Sequence, residues 1–183
     1  MIEPKRIVFL AGFMGSGKST IGPELARSLN FDFVDIDDLI EENEGISIPE
    51  IFEKFGEQYF REIEKRVLNE ISRSDKNIVV ALGGGTLTHE ENRLLVRNGG
   101  ILVYLKADPE KIFERVRSKQ DRPMLLAADG SFLNDKELFA KVQSLLRERE
   151  KYYLEANIIV STSEQDVARS VEEIASKLRG KIP

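Results

Sequence analysis

Five short runs of apolar residues, rich in isoleucine and valine, recur along the chain between longer segments with helical spacing. Several runs are apolar at every position, as expected for strands that are covered on both faces of a sheet. The intervening segments are long enough for the crossover helices that parallel strands require. We therefore predict an α/β three-layer sandwich with a five-stranded parallel sheet, its strands at residues 7–11, 33–36, 78–82, 101–105 and 158–160.

Local signals mark where helices begin and break between the second and third predicted strands. Ser47 and Glu50 form the S-x-x-E pattern of a capping box before an apolar pair. Gly56 predicts a break between two helices, and apolar residues recur on one helical face over residues 57–72. We predict that residues 38–72 form a helical insertion on the substrate side of the sheet.

Composition narrows the class of protein. A chain of 183 residues, 41% hydrophobic and 32% charged, has the size and composition of a single globular domain, here residues 1–183. The net charge of -5 provides no broad basic surface, so we expect no binding to nucleic acid. Cysteine is absent, and no apolar run is long enough to span a membrane. We predict a cytoplasmic monomer that does not bind membranes.

The most specific motif is GFMGSGKST at residues 12–20, directly after the first predicted strand and before a predicted helix. The pattern G-x-x-x-x-G-K-[ST] is matched by Gly12, Gly17, Lys18 and Ser19. In this motif the backbone N–H groups surround phosphates, the lysine reaches the β and γ phosphates, and the hydroxyl binds Mg²⁺. We predict that ATP and Mg²⁺ bind through Gly12, Gly15, Ser16, Gly17, Lys18, Ser19 and Thr20.

The phosphate-binding motif does not name an acceptor, because kinases, GTPases and ATPases all use it. A GTPase would also carry an N-K-x-D guanine motif and a D-x-x-G switch, and neither occurs in this sequence. A motor or transporter ATPase would need more chain around the same core. The remaining class is a kinase for a small molecule.

Further motifs follow in a specific order along the chain. They are DID at residues 35–37, GEQYFREIE at 56–64, GGG at 83–85, RPML at 122–125, and Arg149 followed by Tyr152 and Tyr153. With the phosphate-binding motif, this order resembles the shikimate kinase family from nearly end to end. The resemblance implies a P-loop NTPase fold of the nucleoside monophosphate kinase type. It also implies ATP-dependent phosphorylation of the shikimate 3-hydroxyl, in the pathway to the aromatic amino acids.

The resemblance implies roles for residues on the acceptor side. Asp37 would hydrogen-bond the shikimate hydroxyls and accept the reacting proton, although Asp37 or Asp38 taken alone also fits an ordinary helix N-cap. Arg61 and Arg149 would bind the substrate carboxylate, because a planar guanidinium group suits bidentate binding. The backbone of the triple glycine would approach the substrate at Gly83, Gly84 and Gly85.

The resemblance also implies roles on the donor side. Asp35 would help Ser19 to hold Mg²⁺, Arg122 would neutralise charge on the transferring phosphate, and Arg115 would pack on adenine. Arg122 lies in the irregular segment 118–135, which fits either a plain loop or a mobile lid. The predicted catalytic residues are Lys18, Asp37 and Arg122.

Several alternatives stay open from the sequence. Arg61 could simply pair with Glu64 on its own helix, and Arg147 competes with Arg149 for the substrate carboxylate, because Lys151 stands where the family often has proline. Adenine contacts near residues 161–166 are undetermined, since no arginine occurs there. The acceptor could be gluconate or a nucleoside monophosphate, or the chain could be a silent homologue that only binds ligands.

Overall fold

The computed structural model describes residues 6–117 and 131–182, and its sheet has the predicted parallel topology. Its strands are β1 (Ile7–Ala11), β2 (Asp32–Asp35), β3 (Ile78–Ala81), β4 (Ile101–Lys106) and β5 (Ile158–Ser161). The five strands are arranged in the order β2-β3-β1-β4-β5, and every neighbouring pair is parallel. The carboxyl ends of all these strands therefore lie at one edge of the sheet.

Helices cover both faces of the sheet. They are α1 (Lys18–Leu29), α2 (Ile36–Glu44), α3 (Ile48–Ser72), α4 (Glu90–Gly99), α5 (Pro109–Val116), α6 (Asp135–Tyr153) and α7 (Val167–Leu178). A short 3-10 helix, Thr86–Thr88, follows β3. Within residues 6–117 and 131–182, every helix is too short or too polar to cross a membrane.

Strand β1 shows why the strand sequences are apolar throughout. Ile7 and Phe9 pack into the core that α3 and α6 share, whereas Val8 and Leu10 pack into the core that α1 and α7 share. All four side chains are at most 1% exposed. Because each position is buried against one helical layer or the other, no alternation with polar residues arises. The three-layer α/β sandwich is confirmed.

The helical segment predicted at residues 38–72 consists of α2 and α3. The Glu50 carboxylate accepts a hydrogen bond from the Ser47 N–H at 3.0 Å, and the Ser47 hydroxyl accepts one from the Glu50 N–H at 3.4 Å. This is the predicted capping box. The predicted break is also present, since Gly56 has φ 82° and ψ 173° within α3.

Strand β2 ends one residue earlier than predicted. The Asp35 carboxylate accepts a hydrogen bond from the backbone N–H of Asp37 at 3.0 Å, so Ile36 begins α2 instead of ending the strand. The N-cap of α2 is therefore Asp35, and neither Asp37 nor Asp38 fills that position. As a consequence, Asp35 and Asp37 lie on different elements and approach different groups.

Candidate active site

The phosphate loop, residues 12–20, connects β1 to α1. Gly15 and Gly17 have φ values of 78° and 105°, which lie in the left-handed region that favours glycine. Helix α1 begins at Lys18, whose Nζ donates to the carbonyl of Gly12 at 2.7 Å and to that of Phe13 at 3.2 Å. The Lys18 ammonium group is therefore held by backbone carbonyls of the phosphate loop, beside the N-terminus of α1. This arrangement has the charge and backbone geometry of an anion site.

Ser19 and Asp35 meet beside the phosphate loop, where the Ser19 hydroxyl donates to Oδ2 of Asp35 at 3.5 Å. Burial raises the pKa of Asp35 above its usual value, and the neighbouring Asp38 carboxylate raises it further. A cation bound beside Asp35 would lower this pKa, because it favours the charged carboxylate. A hydroxyl and one carboxylate are oxygen ligands of the kind that Mg²⁺ takes when nucleotide phosphates supply others. The pair fits the predicted Mg²⁺ site.

The glycine turn, residues 83–85, follows β3 at the carboxyl edge of the sheet. A Cβ atom placed on Gly83 would lie 2.8 Å from Oδ1 of Asp37, and one on Gly84 would lie 3.4 Å from Nη1 of Arg149. The absence of side chains therefore lets a carboxylate and a guanidinium group come close to the backbone. The structure brings these two predicted acceptor residues together.

Arg149 reaches the glycine turn, whereas Arg147 does not. Arg149 is 6% exposed, and its guanidinium carbon lies 5.9 Å from the centre of the Phe13 ring. Arg147 is exposed to solvent. Of the two arginines that the sequence left open, the structure places Arg149 beside the predicted substrate position.

Arg61 reaches the same turn from α3. A Cβ atom on Gly85 would lie 3.2 Å from Nη2 of Arg61. Nη1 of Arg61 donates to Oε2 of Glu64 at 3.0 Å, and the guanidinium group also pairs with exposed Glu57 at 3.3 Å. Arg61 therefore pairs with Glu64 on its own helix and also lies at the glycine turn, so the two interpretations of this residue do not exclude each other.

Glu64 has a structural connection that the sequence analysis missed. Its side chain is 1% exposed and accepts hydrogen bonds from Thr86 Oγ1 at 2.6 Å and from Asn92 Nδ2 at 3.5 Å. A buried carboxylate is tolerated because it is paired and hydrogen-bonded, here by Arg61 as well. One signal was available: Glu64 follows Ile63 and lies beside the apolar stripe of α3. Glu64 fixes the Arg61 guanidinium group.

Arg115 connects the phosphate loop to the segment after β5. Its Nη1 donates to the carbonyl of Gly15 at 2.9 Å, and its Nη2 donates to that of Thr162 at 2.8 Å. The Thr162 hydroxyl in turn donates to the carbonyl of Ser16 at 3.0 Å. Thr162, within the segment where adenine contacts were undetermined, is a second residue that the sequence analysis missed. The adenine contact of Arg115 stays a prediction.

The family of this chain follows from a comparison with known proteins. The sequence matches the family described as shikimate kinase over residues 14–179. The chain belongs to the shikimate kinase family. A shikimate kinase from Chlorobaculum tepidum is 44% identical over 172 residues, which cover 94% of this chain and 90% of that protein.

Solved structures of shikimate kinases share the fold. Shikimate kinase from Acinetobacter baumannii, in complex with shikimate, has a TM-score of 0.83 and 35% identity, covering 94% of this chain and 92% of its own. Shikimate kinase from Aquifex aeolicus has a TM-score of 0.79 and 38% identity, covering 95% of this chain and 96% of its own. The predicted family and the fold of the nucleoside monophosphate kinase type are confirmed.

Membership in the shikimate kinase family also confirms the predicted enzyme class, a phosphotransferase that uses ATP. The matches therefore favour shikimate kinase over the three alternatives from the sequence, which were a gluconate kinase, a nucleoside monophosphate kinase and a silent homologue. Arg122 lies outside the described residues, as does most of the segment 118–135 that was predicted as a lid. The roles of the individual site residues stay predictions.

Proposed function

We propose that this chain transfers the γ-phosphoryl group of ATP to the 3-hydroxyl of shikimate, giving ADP and shikimate 3-phosphate. The observation that carries the proposal is the approach of three side chains, Asp37, Arg149 and Arg61, to three consecutive glycines. Shikimate is a cyclic acid with several hydroxyl groups. One carboxylate suits its hydroxyls, and two guanidinium groups suit its carboxylate.

The acceptor would be held at both ends. Arg149 and Arg61 would bind the substrate carboxylate from two helices, α6 and α3, which bring them to Gly84 and Gly85 respectively. Asp37, on α2, would accept a hydrogen bond from the reacting hydroxyl. Such a three-point arrangement fixes the hydroxyl oxygen relative to the phosphate loop, and correct orientation lowers the barrier of a transfer reaction.

The donor would lie beside this acceptor position because of the strand order. Strands β1 and β3 are parallel neighbours, so the phosphate loop and the glycine turn end at the same edge of the sheet. Asp35 approaches both parts of the site, since its two oxygens contact Ser19 and the backbone N–H of Asp37. The γ phosphate of a nucleotide in the loop would therefore face the acceptor hydroxyl.

Transfer would depend on positioning and charge neutralisation more than on a strong base. Lys18 would exchange its contacts with its own loop carbonyls for phosphate oxygens, and Asp37 would take the hydroxyl proton as the oxygen–phosphorus bond forms. Ser19 and Asp35 would hold Mg²⁺, which when bound neutralises charge on the β and γ phosphates. Arg122 would neutralise charge on the transferring phosphate.

The proposal extends to the remaining predictions. Arg115 would pack on adenine, residues 38–72 would form the acceptor-binding part, and residues 118–135 would form a lid within a single kinase domain. The enzyme would work as a monomer in the cytoplasm, on a small-molecule substrate and without binding nucleic acid or membranes. Its net charge of -5 is consistent with a soluble enzyme that has no broad basic surface.

An acceptor panel tests the proposed function. ADP release is measured with Mg²⁺ and ATP, and with shikimate, quinate, gluconate or a nucleoside monophosphate as acceptor. We expect shikimate to stimulate ADP release most strongly and a chelator to abolish the stimulation. The product should carry one phosphate on the 3-oxygen, as phosphorus NMR would show. Absence of stimulation by shikimate, or equal stimulation by gluconate, would contradict the proposal.

A further inference from the structure

Tyr153 connects the last turn of α6 to the glycine turn. Its hydroxyl donates to the carbonyl oxygen of Gly84 at 2.6 Å, and its side chain is 2% exposed. The two residues are 69 positions apart in the chain. The contact therefore joins two segments that only the folded structure brings together.

The three carbonyl groups of the glycine turn are held in two different ways. The carbonyls of Gly83 and Gly85 accept from the backbone N–H groups of Thr86 and Thr88, at 3.2 and 3.0 Å, within the following 3-10 helix. The central carbonyl, that of Gly84, accepts from α6 instead. Local structure thus fixes the ends of the turn, and a distant tyrosine fixes its middle.

The same helix brings an arginine to the same peptide unit. Arg149 and Tyr153 are four positions apart on α6, so their side chains lie on one face of the helix. Nη1 of Arg149 lies 3.4 Å from the position of a Cβ atom on Gly84. A shift of the Gly84 peptide would therefore change the space between the glycine turn and this guanidinium group.

The chemistry of Tyr153 suits a permanent donor. Burial raises the pKa of its hydroxyl to about 12, against the opposing effects of the Arg149 charge and of a hydrogen bond between the Tyr153 and Arg149 side chains. The hydroxyl keeps its proton at neutral pH, as a tyrosine hydroxyl of ordinary pKa also does. Its ring packs against Tyr104 with the ring centres 5.2 Å apart, which fixes the direction of the hydroxyl.

We propose that Tyr153 is a positioning residue of the acceptor site, whose hydroxyl holds the Gly84 peptide at the correct distance from the Arg149 guanidinium group. This inference rests on the proposed function, because it assumes that shikimate binds between these groups. It assigns to Tyr153 a role in substrate affinity that packing of its ring in the core would not require.

Tyr153→Phe tests the inference, because phenylalanine keeps the ring and removes the donor. We expect kcat/KM for shikimate to fall by about 3- to 10-fold, the value of one neutral hydrogen bond. The KM for ATP should change less than about twofold, because the hydroxyl that is removed donates to the glycine turn and not to the phosphate loop. Equal losses for both substrates, or no loss, would overturn the proposal.

Tyr104→Phe is the matched control. Tyr104 is buried in the same ring pair, but its hydroxyl donates to Glu150 at 3.4 Å, whereas that of Tyr153 donates to the glycine turn. We expect both KM values of this variant to match those of the unaltered enzyme. If Tyr104→Phe lost shikimate affinity as Tyr153→Phe does, the effect would belong to packing, and the proposal would be wrong.

A double-mutant cycle separates positioning from general stability. With Arg149→Ala in place, the further change Tyr153→Phe should alter kcat/KM for shikimate less than it does in the unaltered enzyme, since the two residues act on one site. If the losses in kcat/KM of the two single variants simply added in the double variant, Tyr153 would not act through Arg149, and the proposal would be wrong. Loss of the cooperative thermal transition in Tyr153→Phe would make Tyr153 a structural residue and also overturn the proposal. Absence of shikimate-dependent activity in the unaltered enzyme would instead reject the proposed function.

Discussion

Arg147 and Arg149 carry the same side chain two positions apart on α6, and the helix alone gives them different surroundings. Two positions are about 200° apart around a helix axis, so the side chains leave on nearly opposite faces. Val142, Leu146, Arg149 and Tyr153 are all buried, with spacings of four, three and four residues. Arg149 therefore occupies the buried stripe of α6, although it is charged. This spacing was present in the sequence and could have separated the two arginines.

A pair of alanine variants tests which arginine binds the substrate carboxylate. We expect Arg149→Ala to lower kcat/KM for shikimate by about 10- to 150-fold, because a charged hydrogen bond to the carboxylate is lost. Arg147→Ala is the matched control and should stay within about twofold, as an exposed side chain. Steady-state kinetics with each substrate varied in turn measures this. Equal effects of the two variants, or an equal loss in KM for ATP, would argue against the assignment.

Helix α3 is shaped by a glycine in its interior. Gly56 has φ 82°, and apart from its two chain neighbours and the nearby backbone of its own helix, no atom of the described residues lies within 4 Å of a Cβ placed on it. The glycine is therefore required by the backbone conformation and not by lack of space. After this bend, the helix carries Arg61 and Glu64 to the glycine turn. The bend thus sets the direction from which Arg61 approaches the glycine turn.

Gly56→Ala should affect both stability and substrate binding. We expect the free energy of unfolding to fall by about 1–3 kcal/mol, the cost of holding a residue with a Cβ atom at φ 82° and ψ 173°, a conformation that essentially only glycine adopts. If α3 straightens, kcat/KM for shikimate should fall as well, since Arg61 moves. Denaturant unfolding and kinetics measure the two effects.

Glu53→Ala, an exposed position on the same helix, is the control and should change stability by less than about 0.5 kcal/mol. If the free energy of unfolding of Gly56→Ala were unchanged, alanine would adopt this backbone conformation without strain, and the prediction would be wrong.

The order of strands in the sheet assembles the site at the scale of the whole molecule. Strand β3 lies between β2 and β1, so three neighbouring strands end beside one another. Asp35 ends β2, the glycine turn follows β3, and the phosphate loop follows β1. Segments that are distant in sequence therefore form one continuous edge. Binding of a nucleotide there should stabilise the folded chain as a unit.

Removal of metal tests the donor side of this edge. ATP with Mg²⁺, at about 100 times its Kd, should raise the free energy of unfolding by about 2.7 kcal/mol, because it binds only the folded state. Thermal unfolding should show a smaller stabilisation by ATP when a chelator is present. Ser19→Ala should lose much of this Mg²⁺-dependent part, whereas Ser28→Ala, exposed on the same helix, should keep it. Equal stabilisation by ATP with and without Mg²⁺ would contradict the proposed metal site.

The sequence by itself determined the strands, the phosphate loop and the capping box of α3. These features depend on residues within a few positions of one another: apolar runs, glycine spacing, and the pair Ser47 and Glu50. Family motifs in order along the chain also pointed to the correct family and enzyme class. Asp35 was assigned to the metal site, but its additional role as the cap of α2 was missed. The sequence offered Asp37 or Asp38 for that cap, and residue type alone does not decide among three aspartates.

Only the tertiary structure decided how the proposed acceptor site and the phosphate loop are held together. Glu64, Thr162 and Tyr153 each hydrogen-bond to a group more than twenty positions away in the chain. Such contacts depend on the order of parallel strands, and the five apolar strand sequences do not specify that order. The physical reason is that local patterns fix backbone conformation over a few residues, whereas buried polar contacts require partners that packing alone brings within hydrogen-bond distance.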